Sequence, residues 1–265
     1  MPPLAVSLDS SLYAPGTRHA PHAHDELQIS LVLRGSVRER VGTRLEGAGA
    51  LSIVLKDPGV THADEFGPSG ALMARLSVQC SAFADLVEHP ARAEAWRWTH
   101  DAVVAAPFLR IVARGLSGEH TFATDDDDVA ELLALMSARR SVPAHGDPPN
   151  WLRDAVTRMQ NDWTPGLTVR DVARTSGVHP VYLARCLRRW YGVAGAHVMR
   201  QARLRHAARA IADGGQTVSA VAHATGFADE SHLCRELSKA IGVTPARFRR
   251  LGRAFARSTT TFDQR

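Results

Sequence analysis

The sequence predicts an α+β multidomain chain: a small N-terminal β-barrel or sandwich, a helical segment, and an all-α C-terminal part. Three observations carry this prediction. Residues 27–78 fall into short runs that alternate apolar and polar positions. From Ala82 the pattern lengthens to helical periods. Beyond residue 165 one helix–turn–helix unit occurs twice.

Taking the elements in order, Leu27, Ile29, Leu31 and Leu33 alternate with Gln28, Ser30 and Val32, and Arg34-Gly35-Ser36 punctuates the run. Further strands are expected at Ala50–Leu55 and Ala71–Val78, set off by turns at Gly47–Gly49, Pro58-Gly59 and Gly67–Gly70. The stretch Val129–Met136 reads as an amphipathic helix, with Asp125–Asp128 at its start and Arg139-Arg140 at its end. That charge order complements the helix dipole, so the aspartate run needs no metal. Residues 141–150, dense in helix breakers and polar residues, form the linker. The expected domains are therefore 1–140, with its β part at about 1–80 and its helical part at about 81–140, and 151–265. Trp151, Leu152, Ala155, Val156, Met159 and Trp163 share one helical stripe, as a core-facing helix requires.

The repeat is internal and nearly in phase. Thr168-Val169 and Gly177 recur 49 residues later as Thr217-Val218 and Gly226. Arg185, Leu187 and Gly192-Val193 recur 50 residues later as Arg235, Leu237 and Gly242-Val243. Each copy reads as a short helix, a glycine turn and a second helix, with Pro180 and Asp229 at the starts of the second helices. A long helix over Val198–Asp213 joins the copies, and a short final helix follows Thr244-Pro245. In this layout the second helix of each unit enters a DNA major groove. The outward positions suit that role: Val181, Ala184, Arg185, Arg188 and Arg189 in the first unit, and Glu230, Ser231, Cys234, Arg235 and Lys239 in the second. Arginine can donate two hydrogen bonds to guanine, and other cations neutralise phosphate.

Charge agrees. The whole chain carries +5, but residues 166–265 hold 17 Lys/Arg against 6 Asp/Glu, and the rest is net acidic. Only Lys56 and Lys239 are lysines. With 45% hydrophobic and 22% charged residues, wholesale disorder is excluded. Three cysteines (Cys80, Cys186 and Cys234) suit buried small residues in a reducing compartment better than a disulfide framework. No apolar run approaches membrane length, and Met1-Pro2-Pro3 lacks a signal-peptide layout, so a cytoplasmic protein without membrane contact is expected.

Residues Gly166–Arg250 resemble the DNA-binding domain of the AraC/XylS transcription regulators. The resemblance rests on Gly226-Phe227-Ala228-Asp229-Glu230-Ser231-His232-Leu233-Cys234-Arg235, on Gly242-Val243-Thr244-Pro245-Ala246-Arg247-Phe248-Arg249, and on Arg203-Leu204 with Ala207 and Ile211. It implies that Val181, Arg185, Glu230 and Arg235 face bases in double-stranded DNA. By the same analogy the helical segment forms a homodimer and RNA polymerase is a partner. Arg203 is expected to contact its own domain. His179 departs from the usual serine cap and Ala194-Gly195 from the usual Ser-Pro, which points to a less rigid first unit.

His22-Ala23-His24, Gln28 and Gly35, followed by Gly59-Val60-Thr61-His62, are similar to the two motifs of a cupin barrel. Alternate strand residues share a face, so His22 and His24 are expected to meet His62 and to hold a divalent metal ion, line a small-molecule effector pocket or satisfy core hydrogen bonds. Gln28 occupies the position of the family's glutamate and is a poorer ligand, with Glu26 and Glu65 nearby. The expected function is a non-enzymatic, ligand-responsive transcription regulator. A metal-dependent cupin enzyme fused to a DNA-binding domain is the rival, and a constitutive regulator with an inert barrel is a third reading.

Overall fold

The computed structural model describes residues 5–78, 96–123, 126–138, 148–161 and 164–258. The architecture is mixed α/β. The N-terminal part is an antiparallel sheet of eight strands: β1 (Ala5–Tyr13), β2 (Arg18–His22), β3 (Leu27–Val41), β4 (Arg44–Gly49), β5 (Ile53–Lys56), β6 (His62–Val78), β7 (Trp96–Thr99) and β8 (Thr121–Ala123). Two helices belong to it, α1 (Ala102–Gly115) and α2 (Asp127–Ala138). The C-terminal part is helical: α3 (Asn150–Asn161), α4 (Val169–Thr175), α5 (Pro180–Tyr191), α6 (Gly195–Asp213), α7 (Val218–Ala224), α8 (Glu230–Ile241) and α9 (Pro245–Ser258).

The strands run in the order β7-β5-β3-β6-β1-β8, with β2 added to β6 and β4 to β3. Two expected turns lie inside long strands. Arg34-Gly35-Ser36 sits within β3 and Gly67–Gly70 within β6. There the strands bend over each other: a Cβ on Gly35, whose φ is +77°, would stand 2.0 Å from the Gly70 carbonyl oxygen. Only glycine permits that approach, and the β3–β6 register shifts on both sides of Gly35. Glycine here marks a bend rather than a chain reversal. The segment expected to be wholly helical also holds β7 and β8; residues 79–95, including Cys80, lie outside the described set.

The sheet's two faces part as the alternation predicts. Leu27, Ile29, Leu31 and Leu33 join a core shared with Phe108 and Leu109 of α1, Leu204 and Ile211 of α6, and Leu233 and Leu237 of α8. Val32 and Val37 point the other way, with Tyr13, Phe66 and Met73. A separate core holds the first helical unit together through Leu152, Met159, Val172, Leu183, Leu187 and Val198. The second helix–turn–helix unit therefore shares its core with the sheet domain, and the first does not.

Helix boundaries follow local chemistry. α2 starts where Asp126 accepts the Asp128 amide at 3.1 Å. The neighbouring aspartates are bound by arginines rather than left open: Arg114 lies 2.7 Å from Asp126 and Arg110 2.5 Å from Asp128. Arg139, Arg140, residues 141–147 of the linker and Trp163 lie outside the described residues. α6 begins at Gly195, before the expected Val198, and the final helix is 14 residues long rather than short. Among the described residues no helix is long and apolar enough to cross a membrane.

Candidate functional site

Each helix–turn–helix unit is built by the same devices. In the first, Thr168 and Asp171 form a reciprocal capping box at the start of α4. The turn passes Gly177 at φ +68°, and His179 then caps α5 by accepting the Val181 amide through Nδ1 at 3.3 Å. The departure from serine at this position thus keeps the capping function. In the second, Thr217 accepts the Ala220 amide at 3.1 Å, Gly226 turns at φ +68°, and Asp229 accepts the His232 amide at 2.7 Å. Both second helices close on a left-handed glycine, Gly192 and Gly242.

These frames fix which faces stay outside. In α5, Leu183, Cys186 and Leu187 are buried; Val181, Arg185, Arg188 and Arg189 are exposed and Ala184 is half-buried. In α8, Leu233 and Leu237 are buried; Glu230, Ser231, Arg235 and Lys239 are exposed and Cys234 is half-buried. Burial, and then Glu230, push the Cys234 thiol up, away from the reactive thiolate. The sequence reading missed Tyr182, an exposed aromatic stacked on Trp151 at 5.7 Å. Arg203 lies over the Phe227 ring at 5.7 Å, the contact within its own domain that was expected.

The N-terminal histidines also converge. Ring centroids lie 4.3 Å apart for His22 and His62, 5.0 Å for His22 and His24, and 5.3 Å for His24 and His62. Gln28 is buried on β3, directly across from Lys56, and its Oε1 has no hydrogen-bond partner among the described residues. Glu65 is engaged elsewhere, by Arg18 and Arg38.

Four participants were not anticipated: Lys56, Glu39, Trp96 and Trp98. The Lys56 ammonium donates to Glu39 Oε1 at 2.8 Å and to His62 Nε2 at 3.0 Å. Both indoles donate to Glu39 Oε2, at 2.5 and 2.7 Å. Burial alone would raise the Glu39 carboxyl, but the charge and hydrogen bond of Lys56 outweigh it and hold it low. A lysine ending the apolar run Ile53-Val54-Leu55 was the available signal.

This network decides how well a metal fits. His22 and His62 each direct Nδ1 at a backbone carbonyl, of Ala20 at 2.9 Å and Val60 at 3.0 Å, so Nδ1 carries the proton. That arrangement presents Nε2 as the ligand atom, but in His62 the lone pair on Nε2 is taken by Lys56. A metal ion on the three histidines would have to displace an ammonium. The three histidines as arranged do not fit a resident cation.

A hydroxyl–imidazole–carboxylate chain runs through Ser52, His100 and Glu46, with contacts of 2.9 and 3.0 Å. Ser52 is fully buried, so no substrate reaches the hydroxyl, and the chain ties β-structure together rather than acting as a nucleophile. A cavity of about 1040 Å³ opens between β1, β2 and α9 and is bordered by Asp9, Tyr13, His19, His22, Arg75 and Phe255. Of the predicted effector residues, His22 alone lines it.

Comparison with known proteins agrees with both halves. Residues 10–136 match the AraC-like ligand binding domain and residues 172–251 a helix-turn-helix domain. Both halves of the chain are thus similar to AraC-type regulators. It is 33% identical over 79 residues to the HTH-type transcriptional regulator GlxA of Rhizobium meliloti (strain 1021), a match covering 30% of this chain and 24% of that protein. The chain spans about a quarter to a third of the length of the curated relatives it matches. Among solved structures it is similar to the C-terminal domain of AraT, a response regulator from Geobacillus stearothermophilus, at 25% identity and TM-score 0.36, covering 40% of this chain and 88% of that one. It is also similar to ToxT from Vibrio cholerae O395, at 11% identity and TM-score 0.39, covering 93% of this chain and 97% of that one.

Proposed function

We propose that this chain is an AraC-family, sequence-specific, DNA-binding transcription regulator controlled by a small molecule held in the N-terminal domain. The observation that carries the reading is the paired set of outward helix faces, exposed at Val181, Arg185, Arg188 and Arg189 on α5 and at Glu230, Ser231, Arg235 and Lys239 on α8, with Ala184 and Cys234 half-buried among them. Each follows a capped helix and a glycine turn. The two helices would enter successive major grooves about 34 Å apart. Base contacts fall to Val181, Arg185, Glu230 and Arg235, and the remaining cations meet phosphate.

The effector would meet the inner sheet face around His22, His24, Gln28 and His62, where His22 Nε2 and the Gln28 carbonyl offer hydrogen bonds to a polar organic molecule. Its control requires unequal affinity for two arrangements of the reader. Homodimerisation through the α1–α2 pair, contact with RNA polymerase and a cytoplasmic location belong to the same reading and rest on the family resemblance. Selection of DNA from a random pool by the full chain, at fixed near-physiological salt, tests it. Two enriched blocks about one helical turn apart are expected; no enrichment with or without cell extract would sink the proposal.

A further inference from the structure

Four large apolar side chains are exposed among the described residues, and two of them are neighbours at the start of α5: Val181 at 61% and Tyr182 at 49%. Val181 belongs to the base-facing set; Tyr182 has no part in it. The Tyr182 ring stacks on Trp151 of α3, with centroids 5.7 Å apart and planes 25° from parallel. Trp151 in turn packs against the core of the first helix–turn–helix unit. The phenol is therefore held in place while half of its surface stays exposed.

Position on the helix decides what this ring meets. Successive residues of an α-helix turn by about 100°. Val181 and Arg188 lie on the outward face of α5, so Tyr182 and Arg189, each one residue on, share its flank. A helix about 10–12 Å across fills a major groove about 12 Å wide, which leaves its flanks against the phosphate strands. A tyrosine suits that wall, because its ring face is apolar like a deoxyribose and its hydroxyl donates to phosphate.

The second unit is built differently at this point. Fifty residues beyond Tyr182 stands His232. Its ring turns onto Phe227 at 5.3 Å, and its Nδ1 accepts the Ala228 amide at 3.4 Å. The first unit has Val178 where the second has Phe227, so the ring beneath Tyr182 comes from outside the repeat, from α3.

We propose that Tyr182 is a DNA-backbone contact peculiar to the first unit: its ring lies on a deoxyribose, its hydroxyl donates to the adjoining phosphate, and Trp151 is the positioning residue that holds it there. This rests on the DNA-reading function proposed above and adds an asymmetry to it. The first unit grips one strand through an uncharged contact that the second lacks. A ring already fixed by stacking loses little freedom on binding. An uncharged phenol also adds affinity without displacing a counterion.

Fluorescence anisotropy of the full chain on the duplex obtained by selection, at several salt concentrations and with thermal midpoints measured alongside, tests the proposal. Tyr182→Phe keeps the stack and removes only the hydroxyl; it weakens binding about threefold to tenfold with salt slope and midpoint unchanged. Arg189→Ala, on the same flank, instead reduces the salt slope by about one. Duplexes carrying one uncharged methylphosphonate at a time locate the partner. At one position beside the block whose preference Arg185→Ala relaxes, Tyr182→Phe and the natural chain bind equally; no position beside the other block behaves so. Trp151→Leu weakens binding severalfold in the natural chain but by at most about twofold in a Tyr182→Ala background, because it acts through the tyrosine. Equal affinity of Tyr182→Phe and the natural chain for the unmodified duplex overturns the inference, as does a Trp151→Leu loss that is the same in both backgrounds. Failure to select any duplex overturns the DNA-reading function itself, and this inference falls with it.

Discussion

Gln201 of α6 accepts the backbone N–H of Ala102, the first residue of α1, at 3.0 Å in a buried contact. The first amides of a helix have no partner within it, and here one is satisfied by a side chain from the reader. Beside it Asp101 caps α1 through the Val103 amide and lies 3.4 Å from His197 of α6. The N-terminus of α1 is thereby fastened to the helix that joins the two helix–turn–helix units. Gln201→Leu leaves the amide buried and unsatisfied and should lower stability by about 1–3 kcal/mol in urea denaturation. An unchanged midpoint would show that water replaces the glutamine freely.

The arginines at repeat-related positions offer a sharper test of the reader. Arg185→Ala or Arg235→Ala should each cost about 1–3 kcal/mol on the selected DNA and relax preference at one base position. Arg188→Ala should weaken specific and random DNA alike and flatten the salt dependence. Competition binding with position-varied duplexes distinguishes these outcomes. Equal losses on specific and random DNA for Arg185→Ala would reassign it to phosphate.

Acid sensitivity follows from the histidine cluster. His24 and His62 are both lowered to about 4, by burial first and then by the Lys56 charge, against an ordinary value of 6.5. Between pH 6.5 and about 4 the unfolded chain takes up protons that the folded chain refuses, so stability falls as pH falls. Above 6.5 these two groups contribute no slope. Asp64, raised by burial, works in the opposite sense. Thermal midpoints from pH 7 to 5 should therefore decline, and His24→Asn should decline less. Parallel curves would mean that His24 takes its proton freely in the fold.

The Lys56 ammonium blocks the His62 lone pair, which makes metal affinity a property that can be switched on. The double change Lys56→Met with Glu39→Gln removes both charges together and spares the fold an unpaired buried ion. It should bind zinc more tightly than the natural chain by at least tenfold, with His22, His24 and His62 as ligands. Equal zinc affinity in both proteins, measured by competition with a chromophoric chelator, would show that the ammonium moves aside unaided.

Much of this arrangement was legible in the sequence, for definite reasons. The reader was visible because caps, glycine turns and apolar stripes act within one turn of their own residues, and because they occur twice. The exposed faces of α5 and α8 follow from the same periodicity. Gly35 and Gly70 were misread because glycine serves a reversal and a close strand crossing equally well, and only the β3–β6 pairing separates the two. Glu39, Lys56 and Trp96 come from three strands, and nothing local marks that their side chains meet. Tyr182 was missed for a similar reason: the ring it stacks on, Trp151, belongs to another helix.

The unequal sharing of cores predicts unequal unfolding. Phe108 of α1 is fully buried in the cluster that also contains Leu233 and Leu237 of α8, whereas Leu183 of α5 lies in a cluster confined to the first unit. Phe108→Ala should cost about 3–5 kcal/mol and open α1 and α8 together. Leu183→Ala should cost about 2–5 kcal/mol and open α3, α4 and α5 while α8 keeps its protection. Hydrogen exchange resolved by segment separates the two patterns. Loss of protection in all helices of the reader with either variant would show one cooperative body. Separate patterns would mean that a ligand in the sheet domain acts on the second unit through α1, independently of the first unit's own core.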